Sequence, residues 1–145
     1  MKHITLILIS FLFLTGISEG KEVSYLQKRG GVSYEVNSET PFTGKLVEKY
    51  WSGQKQSEAN FKNGILEGLA TLWYQNGQKK IEYTYKNGKL EGLSTEWHAN
   101  GQKESEGNYR NGKPEGIHTS WYENGQKSGE AIWKDGLPIE YNGFP

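Results

Sequence analysis

Glu58, Glu82, Glu106 and Glu130 stand 24 residues apart, and Lys55, Lys79, Lys103 and Lys127 precede them by three. A column of carboxylates can hold a cation or work as acid and base, but only where unlike groups converge on one point. Here every carboxylate has its own cation nearby, so the columns read as solvated support between strands, about 0.2–1 kcal/mol per pair. His98 and His118 occupy different positions of the 24-residue unit. Zinc sites normally take three or four ligands and a second shell, so no metal ligand is assigned. Ser94, Ser105, Ser120 and Ser128 sit in no nucleophile elbow, and the glycines lack the strand-to-helix context of a phosphate loop. The chain has no cysteine, which excludes a disulfide framework, a thiolate metal site, a cysteine nucleophile and a lipidated N-terminal Cys. Catalytic and cofactor-binding residues are therefore expected to be absent, and the chain reads as a non-enzyme without cofactors.

The remaining candidates are rings. Trp73, Trp97 and Trp121 form one 24-residue series, and Tyr85, Tyr109 and Trp133 another. In a single-layered sheet one side of such a stripe stays partly open and can receive an extended partner segment or a neighbouring array. Packing within the core is the plainer use of the same rings.

The elements that must position these rings follow from the repeat itself. Gly-Gln-Lys begins at Gly53, Gly77, Gly101 and Gly125; in step with it run Asn63-Gly64, Asn87-Gly88, Asn111-Gly112 and Asp135-Gly136. A third column is Gly44, Gly68, Gly92 and Gly116, preceded in the last three by Glu67, Glu91 and Glu115. Internal repeats at such a period mean an array of stacked supersecondary units. Asn-Gly suits the type I′ turn, whose two central residues both need φ > 0, so each one is expected to reverse the chain. Between reversals lie short segments rich in Thr and aromatics, such as Leu69 to Tyr74 and Lys80 to Tyr85. The fold expected is all-β: an elongated antiparallel meander with one β-hairpin per unit.

Alternation assigns the faces. Leu69, Thr71 and Trp73 share one face, matched by Leu93, Thr95, Trp97 and by Ile117, Thr119, Trp121, so that face is constant. The opposite face changes from Ala70, Leu72, Tyr74 to Ser94, Glu96, His98 and then His118, Ser120, Tyr122. Phe61, Tyr85, Tyr109 and Trp133, with Ala59, Tyr83, Gly107 and Ala131 beside them, are expected to pack against the tryptophans, each aromatic pair adding about 0.5–1.5 kcal/mol. Trp97→Ala is accordingly expected to rank among the most damaging single changes. Units of this size cannot stand alone, so the ends need caps.

Composition limits the rest. With 34% hydrophobic and 13% aromatic residues in 145, the chain suits a thin sheet better than a deep aliphatic interior. Lys plus Arg and Asp plus Glu are both 17, so no net field favours nucleic acid or an anionic membrane. Lys2 and His3 precede an apolar run from Ile4 to Leu14, followed by small or polar residues. That reads as a secretory signal peptide of residues 1–20, cleaved after Gly20 in preference to Ser18, and as export to periplasm, cell surface or medium. The run is shorter than the roughly 20 apolar residues of a membrane-spanning helix, so no span is expected in the mature chain. Residues 21–31 are a lead-in or a short extra strand. The array occupies 32–136, its degenerate first copy about 32–50, and 137–145 form a tail because Pro138 and Pro145 oppose ladder pairing. Terminal strands present open edges, through which self-association is possible.

Gly-x-x-Thr-x-Trp-Tyr-x-Asn-Gly-Gln-Lys, then Glu, a ring residue, Lys-Asn-Gly and Glu-Gly, resembles the variant MORN repeat from about Gly31 to Gly136. Pro41-Phe42-Thr43-Gly44, just before the first full copy, looks like the corresponding stretch of YwqK-family antitoxins of toxin–antitoxin systems. The resemblance implies an elongated β-hairpin array that contacts proteins and in some cases lipid. The function expected is an exported protein-interaction scaffold, antitoxin-like by resemblance, with a protein partner. The alternative is a cell-envelope or glycan-binding module that stacks sugars on exposed rings.

Overall fold

The computed structural model describes residues 21–143, so the signal segment expected at 1–20 lies outside the described residues. Within them thirteen strands follow one another: β1 (Glu22–Val23), β2 (Gln27–Arg29), β3 (Val32–Tyr34), β4 (Gly44–Lys49), β5 (Lys55–Lys62), β6 (Ile65–Trp73), β7 (Lys79–Lys86), β8 (Lys89–Leu90), β9 (Gly92–Trp97), β10 (Lys103–Arg110), β11 (Lys113–Trp121), β12 (Lys127–Lys134) and β13 (Leu137–Gly143). From β4 onward they form the antiparallel meander that the repeat implies, each strand bonded to its neighbours in sequence, with β8 and β9 sharing one place beside β7. All extensive strand contacts are between hydrogen-bonded pairs. The sheet is thin: no described side chain falls below 2% exposure, and the buried apolar residues are Phe42, Val47 and Ala70.

Two kinds of turn alternate. At Asn63-Gly64, Asn87-Gly88, Asn111-Gly112 and Asp135-Gly136 both residues have positive φ, 50–54° for the first and 76–86° for the glycine, as a type I′ turn requires. At Asn76-Gly77, Asn100-Gly101 and Asn124-Gly125 only the glycine does. There Gly77 N–H donates to Tyr74 C=O (2.9 Å), Tyr74 N–H donates to Gln78 C=O (2.8 Å) and Gln78 N–H donates to Asn76 Oδ1 (3.0 Å). The second Asn-Gly series therefore serves a type I turn with a left-handed glycine, in which the Asn side chain, and not its φ, is used.

Each type I′ turn docks on the unit before it. Gly88 N–H donates to Leu66 C=O (2.9 Å) and Asn87 N–H to the Glu67 carboxylate (2.7 Å); Gly112 and Asn111 repeat this on Leu90 and Glu91, Gly136 and Asp135 on Pro114 and Glu115. This gives the Glu-Gly column its structural task. In the degenerate first copy Phe42 C=O accepts from Gly64 N–H (2.6 Å) and Thr43 Oγ1 from Asn63 N–H (2.9 Å), so Thr stands in for Glu. Phe42, 2% exposed, packs on Phe61 with ring centroids 6.0 Å apart.

Both ends differ from the sequence-based boundaries. The 31/32 division falls inside a hairpin, because Gly30 and Gly31, with φ of 56° and 85°, join β2 to β3. β1 covers the β4 edge in parallel, Glu22 opposite Lys45 and Val23 opposite Leu46. At the other end the expected tail is β13 as far as Gly143, paired with β12 from Lys134–Leu137 to Gly129–Gly143. Pro138 is accommodated opposite Trp133, where the register shifts, and because β13 is the edge strand its missing N–H breaks no ladder to an outer neighbour.

Candidate functional site

One row crosses the whole sheet. Val47, Glu58, Thr71, Glu82, Thr95, Glu106, Thr119, Glu130 and Asn142 stand directly opposite one another in successive strands, and so share one face. Thr71 and Thr95 are sunk to 5% and 7% exposure. Leu69, Leu93 and Ile117 lie beside the row on the same face, yet they are 46%, 52% and 55% exposed. The cause is local: where Ala59 faces Ala70 but Phe61 faces Leu66, the strand holds two extra residues, and Gly68 at φ 88° turns Leu69 outward. Gly92 and Gly116, at 85° and 73°, occupy the equivalent positions before Leu93 and Ile117.

On the other side of the row stand Trp73, Trp97 and Trp121, each half-buried. The ammonium groups of Lys55, Lys79 and Lys103 lie over these rings, 5.6, 5.6 and 5.7 Å from their centroids. The same ammonium groups pair with Glu58 (2.6 Å), Glu82 and Glu106 (2.5 Å), and Lys127 pairs with Glu130 (3.3 Å). Lys45 adds a second bond to Glu58 (2.7 Å), and the two ammonium groups hold that carboxyl below the usual carboxylate range. The Lys and Glu columns thus act within one strand, three residues apart, and Lys55, Lys79 and Lys103 link their glutamates to Trp73, Trp97 and Trp121 of the next strand pair. Their support is less purely cross-strand than the spacing suggested.

The expected single ring surface is divided. Tyr83 stands opposite Ala70 and Tyr85 opposite Gly68, on the face turned away from Trp73. Trp133 stands opposite Gly116 and Tyr109 opposite Gly92, again apart from Trp121 and Trp97. Trp73, Trp97 and Trp121 therefore lie on the constant face, and Tyr85, Tyr109 and Trp133 on the variable one; they do not pack against each other. The reason is a one-residue bulge in every hairpin. Trp73 faces Lys79 but Leu72 faces Ile81, so Lys80 is extra, and every later residue of β7 changes side.

On the variable face the rings join a polar network. Tyr83 O–H donates to Glu96 (2.6 Å), and Tyr83 and Tyr85 meet edge to face at 6.4 Å. His118 lies between Tyr109 (5.3 Å) and Trp133 (6.0 Å), and its Nε2 donates to Asn108 C=O (2.8 Å). Carbonyl oxygen only accepts, so that nitrogen carries the proton. Tyr50 and Tyr74 O–H donate to the carbonyls of Trp73 (2.6 Å) and Trp97 (2.7 Å), and His98 Nε2 donates to that of Trp121 (2.9 Å). This column ties each unit to the next. Both histidines are thus held by backbone carbonyls at separate places, and among the described residues no group of three or more His, Cys, Asp or Glu could hold a metal.

Burial raises the Tyr83 phenol above its ordinary range, helped by Glu96, and burial raises Tyr109 likewise. A raised phenol favours the neutral form in the fold, so its stabilising contribution is complete below about pH 10 and fades as pH rises through the folded value. Tyr83→Phe is expected to remove a late-ionising phenol from an absorbance titration of the phenolates. An unchanged late fraction would refute this assignment.

The sequence signal for the turn-docking Glu67, Glu91 and Glu115 was present, each 20 residues before the amide it receives, as was that for Tyr50, Tyr74 and His98, each 23 before its carbonyl. The exposure of Leu69, Leu93 and Ile117 had no such signal. Among the described residues no helix is long and apolar enough to cross a membrane. A family model described as MORN repeat variant matches residues 66–87, 90–111 and 114–135, and one described as MORN repeat matches 106–117. No curated protein matches the chain.

Proposed function

We infer that this MORN-repeat protein is a non-enzymatic interaction scaffold that docks a protein partner on its constant face. The observation behind this reading is the Leu69, Leu93 and Ile117 row, an aliphatic group repeated once per unit at 46–55% exposure. Groups kept for the core would be covered; these are presented, beside half-buried tryptophans and neutral Lys–Glu pairs. Equivalent groups in a line suit an extended contact, whereas catalysis needs unlike groups at one point.

Export is part of the proposal, supported by the apolar run Ile4 to Leu14 behind Lys2 and His3. The antitoxin-like role rests on the resemblance of the Pro41-Phe42-Thr43-Gly44 stretch alone. If it holds, the neutralised partner is exported as well. The open edge of β13 leaves self-association available as a separate contact. A glycan platform fits less well, because the rings it would use are divided between two faces.

The test is comparative capture of partners from the surface and secreted fractions of the producing cell. The chain carrying Leu69→Lys, Leu93→Lys and Ile117→Lys is expected to fold, since all three sites are exposed, and to lose the specific partner. A partner held equally by both proteins would rule out the constant face.

A further inference from the structure

The hairpin of β2 and β3 hangs on the first type I′ turn, where Ser33 N–H donates to Gly64 C=O (2.9 Å) and Ser33 C=O accepts from Phe42 N–H (2.9 Å). Between this hairpin and the variable face of the first unit lies a cavity of about 410 Å³, lined by Leu26, Leu46, Phe61, Ile65 and Leu66. Two of these residues are peculiar to the first unit. Where it has Leu46, later copies have Ala70, Ser94 and His118; where it has Ile65, the next two have Lys89 and Lys113. A cap that only covered these groups would close on them, because protein interiors pack without voids of this size. The volume lies within the range of small-molecule sites.

Polar groups mark the two ends. Lys28 and Ser33 stand opposite each other in the hairpin, so their side chains share a face, and both line the cavity. Ser33 is 8% exposed, yet among the described residues its hydroxyl has no hydrogen-bond partner and the Lys28 ammonium has no ion pair. Buried hydroxyls are normally satisfied. At the far end Glu48 also lines the cavity, but its carboxylate already accepts from Ser57 O–H (2.6 Å). The uncompensated charge is therefore a single positive one. Leu46 and Glu48 project to the same side of β4, and Glu48 lies four residues from Gly44, which faces Phe61, so the apolar stretch runs roughly 14 Å along the strand.

We propose that this cavity binds a straight-chain aliphatic monocarboxylate, its chain laid along Leu46, Phe61 and Ile65 and its carboxylate held by Lys28 and Ser33. One ammonium and one hydroxyl match one carboxylate. A phosphate monoester brings a second negative charge, and the lining holds no second cation to meet it. An extended chain fills the length that a single ring would leave empty. Glu48 at the far end repels a second acid group, which selects against dicarboxylates. The site lies on the variable face and is independent of the docking row on the constant one.

The experiment titrates butanoate, hexanoate and octanoate into the protein and follows the heat of binding. Affinity is expected to rise about fourfold for each added methylene, the usual worth of burying one. Octanoate is expected to bind Lys28→Gln about tenfold or more weakly, the loss that goes with a hydrogen bond to a charged group. Lys28 is exposed, so that variant is expected to keep the parent's unfolding midpoint. Octanol, which lacks the charge, is expected to bind the parent and Lys28→Gln alike. No saturable heat with any of the acids at millimolar concentration overturns the proposal. Equal binding of octanoate by the parent and by Lys28→Gln overturns it too, and so does an affinity that does not change with chain length.

Discussion

Gly107→Ala is expected to destabilise the array by about 1–3 kcal/mol, the usual cost of overpacking a filled site. The backbone there lies outside the left-handed region, so alanine is conformationally acceptable and the cost is steric. A Cβ at Gly107 would stand 2.3 Å from the His118 ring, at both Cγ and Nδ1. The ring has nowhere easy to go, since it packs between Tyr109 and Trp133 and donates to Asn108 C=O. Moving it would break that hydrogen bond and open the ring cluster joining β10, β11 and β12. The measurement is urea unfolding of Gly107→Ala and of the double variant with His118→Ala. The double variant is expected to recover part of the loss, because the collision vanishes with the ring. A single variant as stable as the parent would show that the site has spare room.

The second large effect is Trp97→Ala, for a reason other than a shared ring core. Trp97 is half-buried between units, its face under the Lys79 ammonium. Fully buried tryptophans cost about 3–5 kcal/mol on truncation, and about half of that is expected here, with the cation–π contact adding about 0.5–1 kcal/mol. Trp51 is the internal control: it projects from the first type I turn at 106% exposure. Trp51→Ala is expected to leave the unfolding midpoint in place. Equal losses for the two tryptophans would mean that burial between units is not what makes Trp97 matter.

The candidate surface was only half legible in the residues. Trp73, Trp97 and Trp121 were identifiable from their period, and so was the constancy of the face that holds Leu69, Thr71 and Trp73. The placing of Tyr85, Tyr109 and Trp133 with them failed on a single extra residue per hairpin, Lys80 in the second unit. A bulge of that kind has no residue signature, since Gln56, Lys80, Glu104 and Ser128 share no chemistry. Pro138 misled in a different way. It argues against a central strand, but β13 has a neighbour on one side only, and there proline costs little.

By itself the sequence determined the unit length, the number of strands per unit and the sites of reversal, because a type I′ turn depends on the φ preferences of two adjacent residues. It also determined that successive copies must lean on each other, because 24 residues cannot bury enough surface alone. Only the tertiary structure decided which rings share a face and which aliphatic groups stay open to solvent. Facing in a sheet is set by register over the whole ladder, and one extra residue in a strand reverses every side chain beyond it.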